Sequence, residues 1–158
     1  AIAVTVAVQL PQARITAVDV SPAALDVARH NASRHGAAQR IHIVQGSLLE
    51  NLAGPFDAIL ANLPYIPTNA LQTLDVIRWE PSLALDGGPD GLQLVRMLIQ
   101  QAATRLRPGG LLALEIQYDQ GPTVAGLCQQ TFPTASVTIQ RDLSGLDRIV
   151  CTEAPAKT

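Results

Sequence analysis

The feature that most constrains this chain is a strand-like run joined directly to a helix start. Arg14 to Val18 is a short run rich in β-branched residues, closed by Asp19. Ser21 then reads as an N-cap, with Pro22 at the first helical position. The expected helix runs to about His35, with Ala24, Val27 and Ala28 on its inner face. Arg34 and His35 sit in the last turn, where the helix dipole favours cations. Gly36 supplies a left-handed ending.

The same alternation continues down the chain. Ile41 to Val44 reads as a strand, Gln45 to Pro55 as a loop or short helix, and Asp57 to Ala61 as a further strand. Residues 68 to 88 are irregular. Asp90 reads as the cap of a long helix to about Arg107, with Gln93 completing a capping box. A turn over Arg107 to Gly110 leads into a strand over Leu111 to Ile116. Gly121 to Thr131 reads as a helix. Thr134 to Gln140 and Arg148 to Thr152 read as a closing antiparallel hairpin. Such alternation marks an α/β domain with a mostly parallel sheet. One domain is expected over residues 1–152, and Glu153 to Thr158 are expected to form a flexible tail. Ala1 to Leu10 stays open between strand and helix, because its alternation fits one and its alanines fit the other.

Composition excludes several classes. At 158 residues, 47% hydrophobic and 15% charged, the chain can bury a core and is not disordered. Its net charge is −2, and its cations, ten Arg and Lys157, are scattered. That argues against direct nucleic-acid binding. The longest apolar stretch, Ala1 to Val8, is too short to span a bilayer. Cys128 and Cys151 form neither a metal motif nor a disulfide framework and read as buried thiols, which points to the cytoplasm. His30, His35 and His42 lack metal-ligand spacing, so no metal is expected.

Three groups at strand ends could carry chemistry, since ligands of open α/β sheets bind beyond the carboxyl ends of the strands. Asp19 could accept hydrogen bonds from both ribose hydroxyls of a nucleoside cofactor, or could only shape its turn with Ser21. Gly46 and Ser47 could face an adenine ring, although an ordinary turn explains them as well. Asn62-Leu63-Pro64-Tyr65 offers an amide, an extended residue before proline, and a flat ring. Together these could grip a planar NH2-bearing group. Asp86 to Gly91 is glycine-rich but lacks the Lys and Ser/Thr of a phosphate loop. It reads as a turn and helix start.

These residues resemble a known family. Asn62-Leu63-Pro64-Tyr65 is similar to the Asn-Pro-Pro-Tyr motif of S-adenosylmethionine-dependent amino methyltransferases. Glu80 to Leu92 (EPSLALDGGPDGL) and Arg141 to Arg148 (RDLSGLDR) resemble segments of the release-factor glutamine methyltransferases, the HemK-like family. The resemblance implies a Rossmann-like class I methyltransferase fold. The implied donor is S-adenosyl-L-methionine. The implied substrate is the glutamine side-chain amide in a Gly-Gly-Gln loop of a peptide chain release factor. By position, Asp19 would hold the ribose, and Gly46 and Ser47 would lie by the adenine, where the family often has Asp in place of Ser47. Asn62 would bind the amide beside the donor, Leu63 would offer its backbone carbonyl, and Pro64 and Tyr65 would complete the catalytic motif. Leu63 stands where the family usually has Pro, but the carbonyl is retained.

The resemblance also sets an expectation at the start of the chain. Ala1, which is not Met, opens within an apolar run. Family members carry a strand and a Gly-rich loop, preceded by a helical domain, before the residues that match Ala1 to Leu10. On this comparison Ala1 to Leu10 is a helix, the first strand and the loop are missing, and donor binding is expected to be weak or absent. Two other readings are an adenine N(6)-methyltransferase on DNA or RNA, after base flipping, and an inactive fragment lacking the cofactor loop.

Overall fold

The computed structural model describes residues 1–156. They form two compact units, Ala1–Leu52 and Ala53–Thr158, where the sequence suggests one domain. Lys157 and Thr158, part of the expected tail, lie outside the described residues.

The first unit holds α1 (Ile2–Gln9), β1 (Ile15–Asp19), α2 (Pro22–Arg34) and β2 (Ile41–Gln45). Residues 1–10 therefore take the helical alternative. Their alanines decide the matter by packing: Ala7 is fully buried with Ala32, Ala37 and Ile41, and Ala3 and Val4 pack against that cluster. Small side chains let α1 lie close to the strands. Arg40 ties the far side of the cluster back to α1 by donating to the Ala7 carbonyl. β1 and β2 pair in parallel, with Ile15 opposite Ile41 and Asp19 opposite Gln45.

Ser21 caps α2 as expected, accepting from the Ala24 amide at 3.3 Å. Gly36 follows the helix at φ +65°, and the Ala37 amide bonds back to the Ala32 carbonyl. The inner face differs from expectation. Leu25 and Ala32 are buried, Ala28 is half-buried, and Val27 is 60% exposed. At about 100° per residue, the stripe through Leu25, Ala28 and Ala32 leaves Val27 on the opposite side.

The second unit holds a four-stranded sheet in the order β3-β4-β6-β5, formed by β3 (Phe56–Asn62), β4 (Leu106–Glu115), β5 (Ser136–Arg141) and β6 (Asp147–Glu153). β3 and β4 are parallel. β6 runs antiparallel to both β4 and β5, as the hairpin reading requires. Leu112, Leu114, Val150 and Thr152 are buried in its centre. α4 (Gln93–Ala102) buries Val95, Leu98, Ile99 and Ala102, the helical i, i+3, i+4, i+7 stripe. α5 (Gly121–Thr131) buries Gly121, Val124 and Cys128 and packs on β5, β6 and α4.

Three boundaries depart from the sequence reading. α4 begins at Gln93, because the Asp90 carboxylate accepts the Leu92 amide in a turn ahead of the helix. Gly91, at φ +74°, cannot continue a right-handed helix. α4 also stops at Ala102, and β4 starts at Leu106. There the Arg105 carbonyl accepts the Phe56 amide at 2.7 Å, and Leu106 pairs with Phe56. The expected turn over Arg107 to Gly110 is an excursion within β4: the register passes from Phe56–Leu106 to Ala58–Leu111. Arg107 forms an ion pair with Asp57 across it. Finally, Glu153 ends β6, and Ala154 and Pro155 bond to Gly110 and Gly109. The chain is therefore held to Pro155, where the sequence suggests a free tail from Glu153.

The C-terminal hairpin explains the Arg141 to Arg148 segment. One Asp142 oxygen accepts the Ser144 and Leu146 amides, and the other accepts from Arg148. The Leu146 amide, with Arg148, holds the Asp142 carboxyl below its ordinary value. Arg148 also donates to the Ile116 carbonyl. This joins the hairpin turn to the end of β4.

Candidate functional site

The expected donor-side residues meet at one end of the first unit. Asp19 ends β1, and the Gly46 amide donates to its carbonyl at 3.1 Å. Ser47 follows directly. Asp19 Oδ1 accepts the Ser21 amide at 2.8 Å, so the turn-shaping role is realised with one oxygen. Oδ2 has no protein partner among the described residues. One oxygen fixes the carboxylate and the other is free to accept from a hydroxyl pair, an acceptor that fits the ribose of a nucleoside cofactor. An open hollow of about 400 Å³ lies among Arg14, Thr16, Arg40 and His42. It sits at the amino ends of β1 and β2, away from Asp19, and none of the expected site residues lines it.

The expected acceptor-side residues lie in the second unit. Asn62 is the last residue of β3, in register with Glu115 on β4, and it is exposed. Leu63, Pro64 and Tyr65 follow, half-buried. Among the described residues, neither the Asn62 side chain nor the Leu63 carbonyl has a hydrogen-bond partner. Just downstream the reverse holds. The Tyr65 carbonyl accepts from the Gln120 side chain at 3.1 Å. The Ile66 amide donates to Leu85, the Gly87 amide donates to the Ile66 carbonyl, and the Thr68 amide donates to Gly88. Two acceptors, adjacent in sequence, are thus left open at the end of a strand whose continuation is bonded from the Tyr65 carbonyl onward. Such a pair matches the two hydrogens of a primary amide or amine.

The irregular segment after the motif is what bonds it. Residues 68–92 contain α3 (Thr68–Leu71) and short turns over Asp75–Arg78 and Ser82–Ala84. Asp86 pairs with Ile66 in a parallel bridge. Its carboxylate accepts from the Thr68 hydroxyl at 2.7 Å and the Gly88 amide at 2.9 Å, which hold its pKa below the ordinary value. Asp90 receives Arg96, and this brings its pKa down to about 2. A Cβ on Gly91 would lie 2.2 Å from the Tyr65 carbonyl oxygen. The glycine-rich stretch is therefore the bed on which the motif rests, more than a helix start. Glu80 is exposed.

Sequence reading missed Gln120 and Gly91. Gln120 lies 55 residues beyond Tyr65, and no local spacing connects them. Gly91 falls inside the resembling segment Glu80 to Leu92, and that was the one available signal.

The other side chains offer less chemistry. Cys128 is buried and Cys151 half-buried, so only one of the two is the buried thiol expected. Burial raises the pKa of both, which makes them poor nucleophiles. Among the described residues, no three His, Cys, Asp or Glu side chains gather as a metal-ligand set, and no helix is long and apolar enough to cross a membrane.

The family described as "Methyltransferase small domain" matches residues 1–80, half of the chain. The chain belongs to this methyltransferase family. It is 51% identical over 150 residues to the release factor glutamine methyltransferase of Moorella thermoacetica, covering 94% of this chain and 53% of that protein. It is 47% identical over 160 residues to the release factor glutamine methyltransferase of Gloeobacter violaceus, covering 99% of this chain and 56% of that protein. The chain thus spans about half the length of the curated relatives it matches. Solved structures share the fold. A methyltransferase from Pyrococcus furiosus superposes with a TM-score of 0.70 at 17% identity, covering 96% of this chain and 68% of that one. A ribosomal protein L11 methylase from Lactobacillus delbrueckii superposes with a TM-score of 0.64 at 19% identity, covering 90% of this chain and 58% of that one. The Rossmann-like methyltransferase fold expected from the sequence is the fold of this small-domain family member.

Proposed function

We propose that this methyltransferase chain serves the transfer of a methyl group to a glutamine side-chain amide in a peptide chain release factor. The observation that carries the reading is the pair of open acceptors, Asn62 and the Leu63 carbonyl, beside a bonded continuation. The release factor glutamine methyltransferases it resembles supply the substrate class. The reaction belongs in the cytoplasm, as the sparse cysteines suggest, and needs no contact with a membrane.

S-adenosyl-L-methionine, when bound, supplies a methyl group on a sulfonium that leaves readily. Asp19 would hold its ribose, with Gly46 and Ser47 beside the adenine. The residues of the second unit act on the other reactant. An amide nitrogen is a poor nucleophile, because its lone pair is shared with the carbonyl. Asn62 Oδ1 and the Leu63 carbonyl accept its two hydrogens and favour a more pyramidal nitrogen with its lone pair directed outward. Pro64 keeps Leu63 extended, so that its carbonyl is not drawn into a helix. Tyr65 supplies a flat surface for the planar amide. Positioning and electrostatics carry the catalysis, and no side chain need act as a base before transfer, since the proton can leave from the product.

The test is methyl transfer from labelled donor, at saturating concentration, to a Gly-Gly-Gln peptide. Transfer to the glutamine nitrogen, lost in Asn62→Ala with an unchanged circular dichroism spectrum, is the expected result. Full activity in Asn62→Ala, or transfer to an oligonucleotide adenine in preference to the peptide, overturns the reading.

A further inference from the structure

We propose that Gln120 is the positioning residue of the acceptor motif: its side-chain amide sets the direction of the Leu63 carbonyl by clamping the Tyr65 carbonyl two residues on. The inference rests on the reading of Asn62 and Leu63 as the amide-binding pair.

Gln120 is one of two buried polar residues among those described, 8% exposed. Every polar group it has close at hand is used. Oε1 accepts the Gln117 amide at 3.0 Å, and Nε2 donates to the Tyr65 carbonyl at 3.1 Å. Its own amide donates to the Gln117 carbonyl at 2.9 Å, and its carbonyl accepts the Val124 amide at 3.0 Å. The two side-chain partners settle which end is which. A backbone amide can only donate and a backbone carbonyl can only accept, so the side-chain oxygen faces Gln117 and the nitrogen faces Tyr65.

The clamp has a second jaw. The Cα of Gly91 lies so near the Tyr65 carbonyl that a Cβ would approach its oxygen to 2.2 Å and Gln120 Nε2 to 3.0 Å. The Tyr65 peptide therefore cannot rotate toward Gly91, and turning away breaks the Gln120 bond. Between this peptide, which the Gln120 and Leu85 bonds hold, and the Leu63 carbonyl lie the torsions of Tyr65 and those of Pro64, whose ring fixes φ. Direction imposed at Tyr65 is thus passed to the Leu63 carbonyl with one soft torsion fewer than an ordinary chain allows. The bond also joins the motif to the start of α5, an element whose Val124 and Cys128 are fully buried.

Only glutamine meets both partners. Leucine at 120 would leave the half-buried Gln117 amide and Tyr65 carbonyl unpaired. Asparagine is a methylene too short. Ionised glutamate would set a carboxylate oxygen against the Tyr65 carbonyl. Protonated glutamate, however, restores a donor on one oxygen and an acceptor on the other. This gives a test that a loss of stability alone would not imitate.

The experiment compares wild type, Gln120→Glu and Gln120→Leu for kcat per folded molecule on the Gly-Gly-Gln peptide, for donor affinity by calorimetry, and for amide exchange at Ile66 and Gly87. At about pH 8, where a glutamate is ionised, kcat of Gln120→Glu is expected to fall at least about tenfold, with donor affinity held within about twofold. Burial at position 120 beside the Tyr65 carbonyl raises the glutamate's titration above the ordinary carboxylate value of about 4, and the gap to wild type is expected to narrow as the pH falls from about 8 toward about 4.5. Gln120→Leu is expected to lose kcat at every pH and to exchange Ile66 and Gly87 at least about tenfold faster. A kcat for Gln120→Glu within about twofold of wild type at about pH 8, or a pH-independent deficit, overturns the inference. If wild type transfers no methyl to the peptide, the functional reading fails on its own. The exchange rates then decide the clamp: faster exchange in Gln120→Leu upholds it, and unchanged exchange removes it.

Discussion

Beyond β2, a Cβ on Gly46 would meet only Val18 Cγ1, at 3.7 Å, which is ordinary contact. Beside the motif that follows β3, a Cβ on Gly91 would drive into the Tyr65 oxygen at 2.2 Å. Both glycines lie near strand ends that carry candidate site residues, yet one has room for a side chain and the other has none. The donor side is held by one local bond, Ser21 to Asp19, and by two bonds from the end of the neighbouring strand, Gly46 to Asp19 and Gln45 to Val20. The acceptor side is held by partners more than 18 residues away in sequence: Leu85, Gly88, Gly91 and Gln120. A carboxylate that binds hydroxyls needs only to be present and ionised. Two acceptors that must meet two hydrogens of one nitrogen need fixed directions, and only a buried, multiply bonded support fixes direction.

That contrast can be broken at several points. The largest expected effect is Asn62→Ala, which removes one acceptor outright and should lower kcat by about 10²–10³-fold, measured by methyl transfer at saturating donor and peptide. Gly91→Ala should be next, on stability as well as activity. Left-handed φ and the clash with Tyr65 should together remove about 2–4 kcal/mol, measured by urea unfolding. Asp19→Asn keeps the acceptor for Ser21 but loses the charge on the second oxygen. Donor affinity should fall about tenfold with kcat little changed, measured by calorimetry and kinetics.

A subtler test addresses Asp90, which belongs to the loop under the motif. Arg96 lowers its pKa to about 2, so folding favours its ionised form. The resulting contribution to stability is complete above the ordinary carboxylate value of about 4 and fades as the pH falls toward about 2. Arg96→Met should return the Asp90 titration most of the way to that ordinary value, followed by carboxyl-carbon NMR. The smallest expected effect is Gly46→Ala, which should change stability by less than about 0.5 kcal/mol. A large loss there would show that the donor side is as tightly built as the acceptor side, and would remove the contrast.

Legibility from sequence follows the same division. Asp19, Ser21 and Gly36 act on neighbours within a few residues, and their roles are written in local order. Helix α5 has the bounds its sequence predicts, because Gly121-Pro122 opens it and its buried stripe is regular. The place of Asn62 at the end of β3 is legible from the strand pattern before it. Helix α4 starts at Gln93, later than the sequence predicts. Asp90 has the chemistry of a cap, but its carboxylate is spent on a turn one step earlier, and only the φ of Gly91 reveals this. Gln120 was unreadable for a different reason. A buried glutamine is defined by its partners, and its partner Tyr65 is remote in sequence.

The open acceptor at Leu63 has an evolutionary consequence. An acceptor on a main-chain oxygen cannot be deleted by any single codon change, because every amino acid brings the same carbonyl. Exchange of the usual proline for leucine leaves the atom in place. Selection at this position can act only on where the oxygen points, and that is governed by the residues that brace the chain beyond it. On the proposed reading, a role for the Leu63 carbonyl therefore depends on Pro64, Gly91 and Gln120 more than on the side chain at position 63.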